Sequence, residues 1–429
     1  LALSHTASLS GGDEALGALL ARLGVARVQT LPVFLETLKL LHVLGPLPGR
    51  RLLSLSSSGG EAGLVADGGA AVGLEFPALN EAHRARIRPT LNPLVTLSNP
   101  FDYHTFDWGD GQRLQATFAT ALTGEFDLTL LVLDLPRADR CDPADWEITL
   151  DAWRAAVAAH PRPTAVVSTL AELLPEQQAQ ALMAAGVAPL MGLEAALGAI
   201  AAAARVGEPR APFEPWRLTA PDASASARAS EWGAKQHLAE YGIPVPRGAL
   251  CQSEADLERA LTTLAPPLVV KASGADLIHK SEQGAVRLHL TEASMVREAY
   301  AELRGLGEAV LVEEMVSDAV AELLLGLHRD PVVGLCLVIG LGGVLTELLR
   351  DTVTLPLPVD AEGVRGALGR LRGAALLAGF RGRPAGDVAA VVDAVLRLQA
   401  LAWAGRACLL ELDINPLLVR PAGRGVVAV

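Results

Sequence analysis

Lysine is scarce in this chain. Of 36 basic residues only four are lysines, Lys39, Lys235, Lys271 and Lys280, so arginine serves almost wherever a cation is needed. Three of those lysines lie close together, between Lys235 and Lys280. A lysine offers a compact, mobile ammonium that the planar guanidinium does not imitate, so the clustering marks a site that needs point charges. No CxxC pair occurs among the four scattered cysteines, Cys141, Cys251, Cys336 and Cys408, which excludes a zinc knuckle or a disulfide framework and points to a reducing, cytoplasmic setting. There is no basic run, and the net charge is −12, so a nucleic-acid grip built on clustered Lys and Arg is not expected. The one long apolar stretch, Ala181 to Ala204, is rich in Ala and Gly and contains Pro189 and Glu194. A buried strand and helix account for it better than a membrane span does.

What is present fits a multidomain globular chain. Over 429 residues, 51% are hydrophobic and 20% charged, which excludes disordered and collagenous classes. At about 100 to 200 residues per domain, two to four domains are expected. The chain starts at Leu1 without an initiator Met or signal peptide and stops in the strand-like run Val426 to Val429, so both ends have the character of a domain interior.

The order of elements predicts two assemblies. From Leu1 to Leu44 a strand (Leu1 to Leu3), a helix (Asp13 to Leu23), a short strand (Ala26 to Gln29) and a helix (Val33 to Leu44) are expected. The apolar strand Leu52 to Leu55 then runs into Ser56-Ser57-Ser58-Gly59-Gly60 and a helical pattern through Asp67, the ingredients of an anion-binding helix start. Strands at Leu128 to Leu133 and Ala165 to Ser168 alternate with helices at Pro143 to Ala159 and Pro175 to Ala185, which predicts a parallel sheet covered on both faces. The Pro-, Ser- and Ala-rich segment Gly207 to Arg228 has no apolar period and is the best linker. Beyond it a helix (Glu231 to Tyr241) precedes strands at Leu268 to Lys271, Val286 to Leu290, Ala309 to Glu313, Glu322 to Leu327, Leu335 to Ile339 and Leu409 to Ile414, with helices at Ala293 to Leu306 and Ala361 to Leu371.

In this second assembly Lys271 ends an apolar strand, Glu313-Glu314 ends another, and Glu322, the Gly340-Leu341-Gly342-Gly343 turn and Asp413-Ile414-Asn415-Pro416 follow. A nucleotide site needs these types: a cation for phosphates, a strand-end hinge, an acid for ribose, and oxygen ligands for Mg²⁺. From about Ser230 onward the chain resembles the ATP-grasp fold, through SEWGAKQHLAEYGIPVP, LVVKASG and LVEEMV. More narrowly, ADLIHKSEQGAVRLHL, GLGGVLTELLRD, LAGFRGRPAGD and LLELDINPLLV resemble the ATP-grasp half of ADP-forming acyl-CoA synthetases, the acetate-CoA ligase relatives of succinyl-CoA synthetase. In the first assembly SHTASLSG, SLSSSGGEAGLVAD and the NPFD element at Asn99, Pro100 and Asp102 are similar to that family's ligase domains.

The resemblance implies an α/β chain of flavodoxin-like parallel-sheet ligase domains followed by an ATP-grasp domain. Its expected divisions are the C-terminal part of a ligase domain at 1–48, a second flavodoxin-like domain at 49–206, a linker at 207–228 and ATP-grasp at 229–429. It implies an ADP-forming reaction of carboxylic acid, CoA and ATP through acyl phosphate and phosphohistidine. His5 is then the phosphorylated residue and His279 the phosphate shuttle. Lys271, Glu313 and Glu322 contact ATP or ADP, Ser58, Gly59 and Gly60 face phosphate, and Asn415, aided by Asp413, holds Mg²⁺. His104 and Trp108 are candidates for the acyl side. The resemblance places the CoA site mainly in an N-terminal domain outside this chain, and implies a homo-oligomer with neither nucleic-acid nor membrane partners. A neutral imidazole accepts a phosphoryl group well near neutral pH, which suits His5 to its role. Where many members carry an Arg near the phosphates this chain has Leu355. That departure keeps a second class open, the non-catalytic ligand-binding part of a protein lysine acetyltransferase.

Overall fold

The computed structural model describes residues 12–210, 214, 216, 218, 228–274, 284–343, 349 and 351–429. The expected strand at Leu1 to Leu3, both candidate phosphohistidines and most of the expected linker lie outside the described residues. The chain divides into two compact units, one from Leu20 to Ala211 and one formed by Pro212–Val429 with the segment up to Leu19.

In the first unit, helix α1 (Asp13–Leu23), which begins in the other unit, leads to α2 (Leu31–Leu44), β1 (Leu52–Ser56), α3 (Gly59–Ala71), α4 (Glu81–Ile87), β2 (Phe101–Asp102), α5 (Gly111–Ala121), β3 (Leu128–Val132), α6 (Ala144–Ala159), β4 (Thr164–Ser168), α7 (Glu176–Ala184), β5 (Ala188–Met191) and α8 (Leu193–Gly207). The strands form a parallel sheet in the order β2-β1-β3-β4-β5, which is the flavodoxin-like winding. Every residue of β1, β3 and β4 is buried, as a sheet with helices on both faces requires. Leu40 of α2 and Ile200 of α8 pack in the core with Leu52 and Leu130, while Phe118 of α5 and Trp153 of α6 pack in the core with Leu53 and Leu131. Alternate residues of one strand thus serve opposite faces. The run Ala181 to Ala204 is the strand and helix expected of it, and among the described residues no helix is long and apolar enough to cross a membrane.

The expected strand Ala26 to Gln29 does not form. Gly24, at φ 76°, ends α1, and Thr30 already caps α2 by accepting from the Val33 amide, so the intervening residues are spent on turning the chain.

The second unit adds α9 (Glu231–Glu240), β6 (Gly248–Cys251), α10 (Glu254–Thr263), β7 (Leu268–Ser273), β8 (Val286–Leu290), α11 (Ala293–Leu303), β9 (Ala309–Glu314), β10 (Ala321–Asp330), β11 (Gly334–Leu341), β12 (Thr352–Pro356), α12 (Ala361–Arg370), α13 (Ala374–Ala378), α14 (Val388–Ala404), β13 (Glu411–Val419) and β14 (Val426–Ala428). Two antiparallel sheets result, β6-β9-β7-β8 and β12-β11-β10-β13-β14. Leu257 of α10 and Tyr300 of α11 pack in the core of the smaller sheet, and Val364 of α12 and Leu398 of α14 in that of the larger. The start of α1 is tied to this unit, where the Gly12 amide donates to Asp330 Oδ2 at 2.6 Å and Thr354 donates to Glu14 at 3.2 Å.

Trp153 is fully buried, edge-on to Phe118 at 5.3 Å between ring centroids. Trp153→Ala is expected to destabilise the first unit by about 3–5 kcal/mol, read as a lower urea midpoint for the transition that carries amide exchange of β3 and β4.

Candidate nucleotide site

Lys271 lies in β7, a strand buried throughout, and its neighbour across the ladder in β9 is Leu311. Two residues along β9, on the same face, is Glu313. Above these strands, α9 places Glu231 and Lys235 one turn apart on one helical face. The four side chains converge. Lys235 Nζ donates to both carboxylate oxygens of Glu313, at 2.6 and 2.8 Å, and to Glu231 Oε1 at 2.8 Å. Lys271 Nζ donates to the same Glu231 Oε1 at 2.8 Å and lies 3.0 Å from Glu313 Oε2. Two ammonium groups thus share two carboxylates.

Burial makes this arrangement necessary. The Glu313 side chain is 1% exposed and that of Lys235 5%, so neither could remain charged unpaired. Burial pulls the Lys271 ammonium down, but the Glu231 and Glu313 carboxylates more than reverse this and hold its pKa above the ordinary lysine range. Lys235 is lowered, by burial and by the Lys271 charge, against the pull of both glutamates. Burial raises Glu231, yet the two lysines outweigh it and leave its carboxyl well below the usual range. Glu313, expected at the nucleotide, is packed beneath the lysines and positions both of them.

On the larger sheet a second group forms. Gly343 sits at φ 72°, and a Cβ there would fall 2.0 Å from Glu322 Oε2, so only glycine fits. Its amide donates to Asn415 Oδ1 at 2.9 Å, and the Gly342 amide donates to the Glu322 carbonyl at 2.8 Å. Glu322, Gly343 and Asn415 are therefore neighbours, though they come from β10, the turn after β11 and β13. Along β13, Glu411, Asp413 and Asn415 alternate on one exposed face. Surrounding protein and the adjacent Glu411 raise the Asp413 carboxyl. A cation would relieve that crowding, and a site with one or two carboxylates and an amide oxygen suits Mg²⁺ held mostly by phosphate oxygens. Among the described residues no group of three His, Cys, Asp or Glu forms a protein-only metal cage.

The profile of the ATP-grasp domain family matches residues 222–429. Across its whole length the chain is 28% identical, over 447 aligned positions, to a trans-feruloyl-CoA synthase from an unknown prokaryotic organism, and covers 62% of that protein. It is 30% identical over 201 residues to an ADP-forming 4-hydroxybutyrate–CoA ligase of Nitrosopumilus maritimus, using 44% of this chain and 28% of that one. Over 208 residues, 46% of this chain, it is 27% identical to the beta subunit of the ADP-forming acetate–CoA ligase II of Pyrococcus furiosus and covers 88% of it. The relatives that the chain matches are acid–CoA ligases, ADP-forming in two of these three. The second unit carries an ATP-grasp domain. Among solved structures, a dinucleotide-forming acetyl-coenzyme A synthetase of Ca. Korarchaeum cryptofilum, in complex with coenzyme A and Ca-AMPCP, matches 48% of this chain and 92% of its own at 31% identity and a TM-score of 0.45. The chain spans less than two thirds of the length of the first two of these relatives.

In the first unit, Ser58 caps α3, its hydroxyl accepting from the Glu61 amide, and Gly59 and Gly60 are exposed at the helix start. Three acids surround them. A Cβ on Gly59 would lie 3.3 Å from Asp102 Oδ2, and Glu61, whose Oε2 is buried without a hydrogen-bond partner, is pushed up to about 7 by burial and by the charges of Asp134 and Asp102. Asp102 also accepts from the His104 amide at 2.8 Å, which turns the chain at His104 (φ 59°). Asn99 is a staple: it accepts from the Ser54 amide and donates to the Leu52 and Pro77 carbonyls at 2.8 and 2.9 Å. Trp108 packs edge-on against Trp146 with 5.1 Å between centroids.

Sequence reading passed over Glu231, Lys235 and Glu61. The lysine bias already pointed at Lys235, and its i,i+4 spacing from Glu231 was visible. Only the fold brings both to residues 40 and 78 positions away.

Truncation of Glu313 to Ala leaves two buried ammonium groups to one carboxylate, Glu231, and is expected to cost the ATP-grasp domain about 3–5 kcal/mol in urea unfolding. Glu61 carries a pH signature. Its raised carboxyl binds a proton more tightly in the folded than in the unfolded chain, so its contribution falls as pH rises from about 4.5 to about 7. Glu61→Gln should therefore gain in melting temperature relative to the unaltered chain between pH 4.5 and 7.5, with no further gain at higher pH.

Proposed function

We propose that the chain forms the phosphoryl-transfer part of an ADP-forming acyl-CoA synthetase, which converts acid, CoA and ATP reversibly into acyl-CoA, ADP and phosphate. The observation that carries this reading is Lys271, fixed as an ammonium by Glu231 and Glu313 inside an ATP-grasp domain. Support for the acyl-CoA side comes from the likeness to a trans-feruloyl-CoA synthase along the whole chain.

In the ADP-phosphorylating direction, phosphate oxygen attacks the thioester carbon and CoA leaves as the thiol, giving acyl phosphate. An imidazole nitrogen of His5 attacks the phosphorus, and the carboxylate departs. The phosphoryl group passes to His279, and a terminal oxygen of ADP then takes it, which restores the imidazole. Division of one exchange between distant substrates into in-line transfers is what a histidine relay accomplishes. Lys271 meets the nucleotide phosphates, Glu313 fixes Lys271, and Glu322 meets the ribose. Asn415 and Asp413 would hold Mg²⁺, which when bound neutralises charge on the phosphate oxygens. Ser58, Gly59 and Gly60 direct the α3 amides at phosphate. A carboxylic acid, CoA and phosphate are the partners of this cytoplasmic, homo-oligomeric enzyme, and neither nucleic acid nor membrane takes part. The acid differs among the named relatives, ferulate in one and 4-hydroxybutyrate in another, so the acyl pocket sets it.

The test is labelling of the full protein with ATP carrying a labelled γ-phosphate, in Mg²⁺. Acid-labile, base-stable label lost in His5→Ala is expected. Absence of label in a protein that binds nucleotide would overturn the synthetase reading in favour of a ligand-sensing module. Lys271→Met should weaken ADP binding by about tenfold to a hundredfold, as the loss of a charge-assisted contact does.

A further inference from the structure

The two glutamates of the four-charge cluster are not equivalent. Glu313 lies in the middle of a sheet, its side chain 1% exposed, and both its oxygens accept from Lys235. Glu231 stands at the first position of α9, its side chain 24% exposed, and spends a single oxygen, Oε1, on both lysines. A helix end can shift by a few tenths of an ångström without breaking a ladder, whereas a residue in a buried strand cannot. If Glu231 withdraws, Lys235 keeps its two bonds to Glu313, and Lys271 keeps only its 3.0 Å contact with Glu313 Oε2. An ammonium has three donors, so Lys271 would then have room for phosphate oxygens. The charge count agrees. Among these four side chains, two ammonium groups face two carboxylates with Glu231 in place. Its withdrawal leaves them two ammonium groups to one carboxylate, a balance that favours a polyanion.

We propose that Glu231 is a displaceable stand-in for nucleotide phosphate, occupying the Lys271 ammonium until a nucleoside di- or triphosphate replaces it, and that Lys235 is the positioning residue that keeps Glu313 from claiming Lys271 for itself. This rests on the reading that Lys271 binds nucleotide, and it adds a regulation of that site: the site's own carboxylate competes with phosphate for Lys271, and that competition sets affinity. With Glu231 in contact, the two carboxylates outweigh burial and hold the Lys271 proton. Glu231 does not touch the substrate in the bound state. It acts through Lys271.

The two positioning roles have opposite signs, which a purely structural role does not. ADP binding to the full chain is measured by calorimetry for the unaltered protein and for Glu231→Gln, Lys235→Met and Lys235→Arg, with melting temperatures recorded without nucleotide. Glu231→Gln removes the competing charge and is expected to tighten ADP binding by about threefold to tenfold even if it lowers the melting temperature. Lys235→Met releases Glu313 onto Lys271 and is expected to weaken ADP by about tenfold, with Lys235→Arg recovering most of the loss. In a Lys271→Met background the gain from Glu231→Gln should vanish. Glu231→Gln that binds ADP no more tightly than the unaltered protein, while that protein binds well, overturns the displacement and leaves the nucleotide reading intact. An unaltered protein that fails to bind ADP at millimolar concentration overturns the nucleotide reading, and the displacement with it. Should Lys235→Met fail to fold, the Arg variant and the Glu231→Gln comparison still decide.

Discussion

The second unit is organised around a need to keep two lysines charged where water does not reach. Lys235 and Lys271 sit between α9, β7 and β9 with side chains at most 10% exposed. Desolvation of either alone would cost several kcal/mol, and the pair would also repel each other. Glu231 and Glu313 answer both problems, since each carboxylate reaches both lysines. The consequence is architectural as well as chemical. The same contacts that fix the protonation of Lys271 bind the entry helix to the sheet, so α9 cannot leave without opening the cluster.

Elsewhere the fold uses the backbone rather than charge. At Gly343 the absence of a side chain lets Glu322 and Asn415 approach one turn, and the Gly343 amide fixes the amide oxygen of Asn415. In the first unit the positive end of α3 is met by Glu61, Asp102 and Asp134. Carboxylates at a helix start are favourable to the dipole but unfavourable to each other. Glu61, whose Oε2 is buried without a partner, absorbs the conflict by holding its proton to about neutral pH.

Strands with apolar runs were legible in the sequence, as were the lysine bias and the alternation of strand and helix in the first unit; Glu313 does lie near the end of β9, but Lys271, expected to end its strand, is an interior residue of β7, which runs on to Ser273. Short elements were not. β2 has two residues and β6 four, too few for a period to emerge, and each forms only because a neighbouring strand accepts it. Ala26 to Gln29 shows the reverse: alternation was present, but a glycine stop and a helix cap on either side outweighed it. The α14 helix, Val388–Ala404, is apolar on most sides because it lies in the core, so it carries little amphipathic signal. Expected site residues fell into separate groups, Lys271 with Glu313 on one sheet and Glu322 with Asn415 on the other. The partners Glu231 and Lys235 lay too far along the chain for spacing to link them to either.

All four members of the charge cluster come from a stretch that begins at Glu231 and ends at Glu313. A break in the chain ahead of Ser230 therefore leaves these four charges together. In evolutionary terms the cluster is portable. A gene boundary placed at that seam, whether by fission, fusion or recombination, leaves the lysines neutralised in whichever polypeptide inherits them.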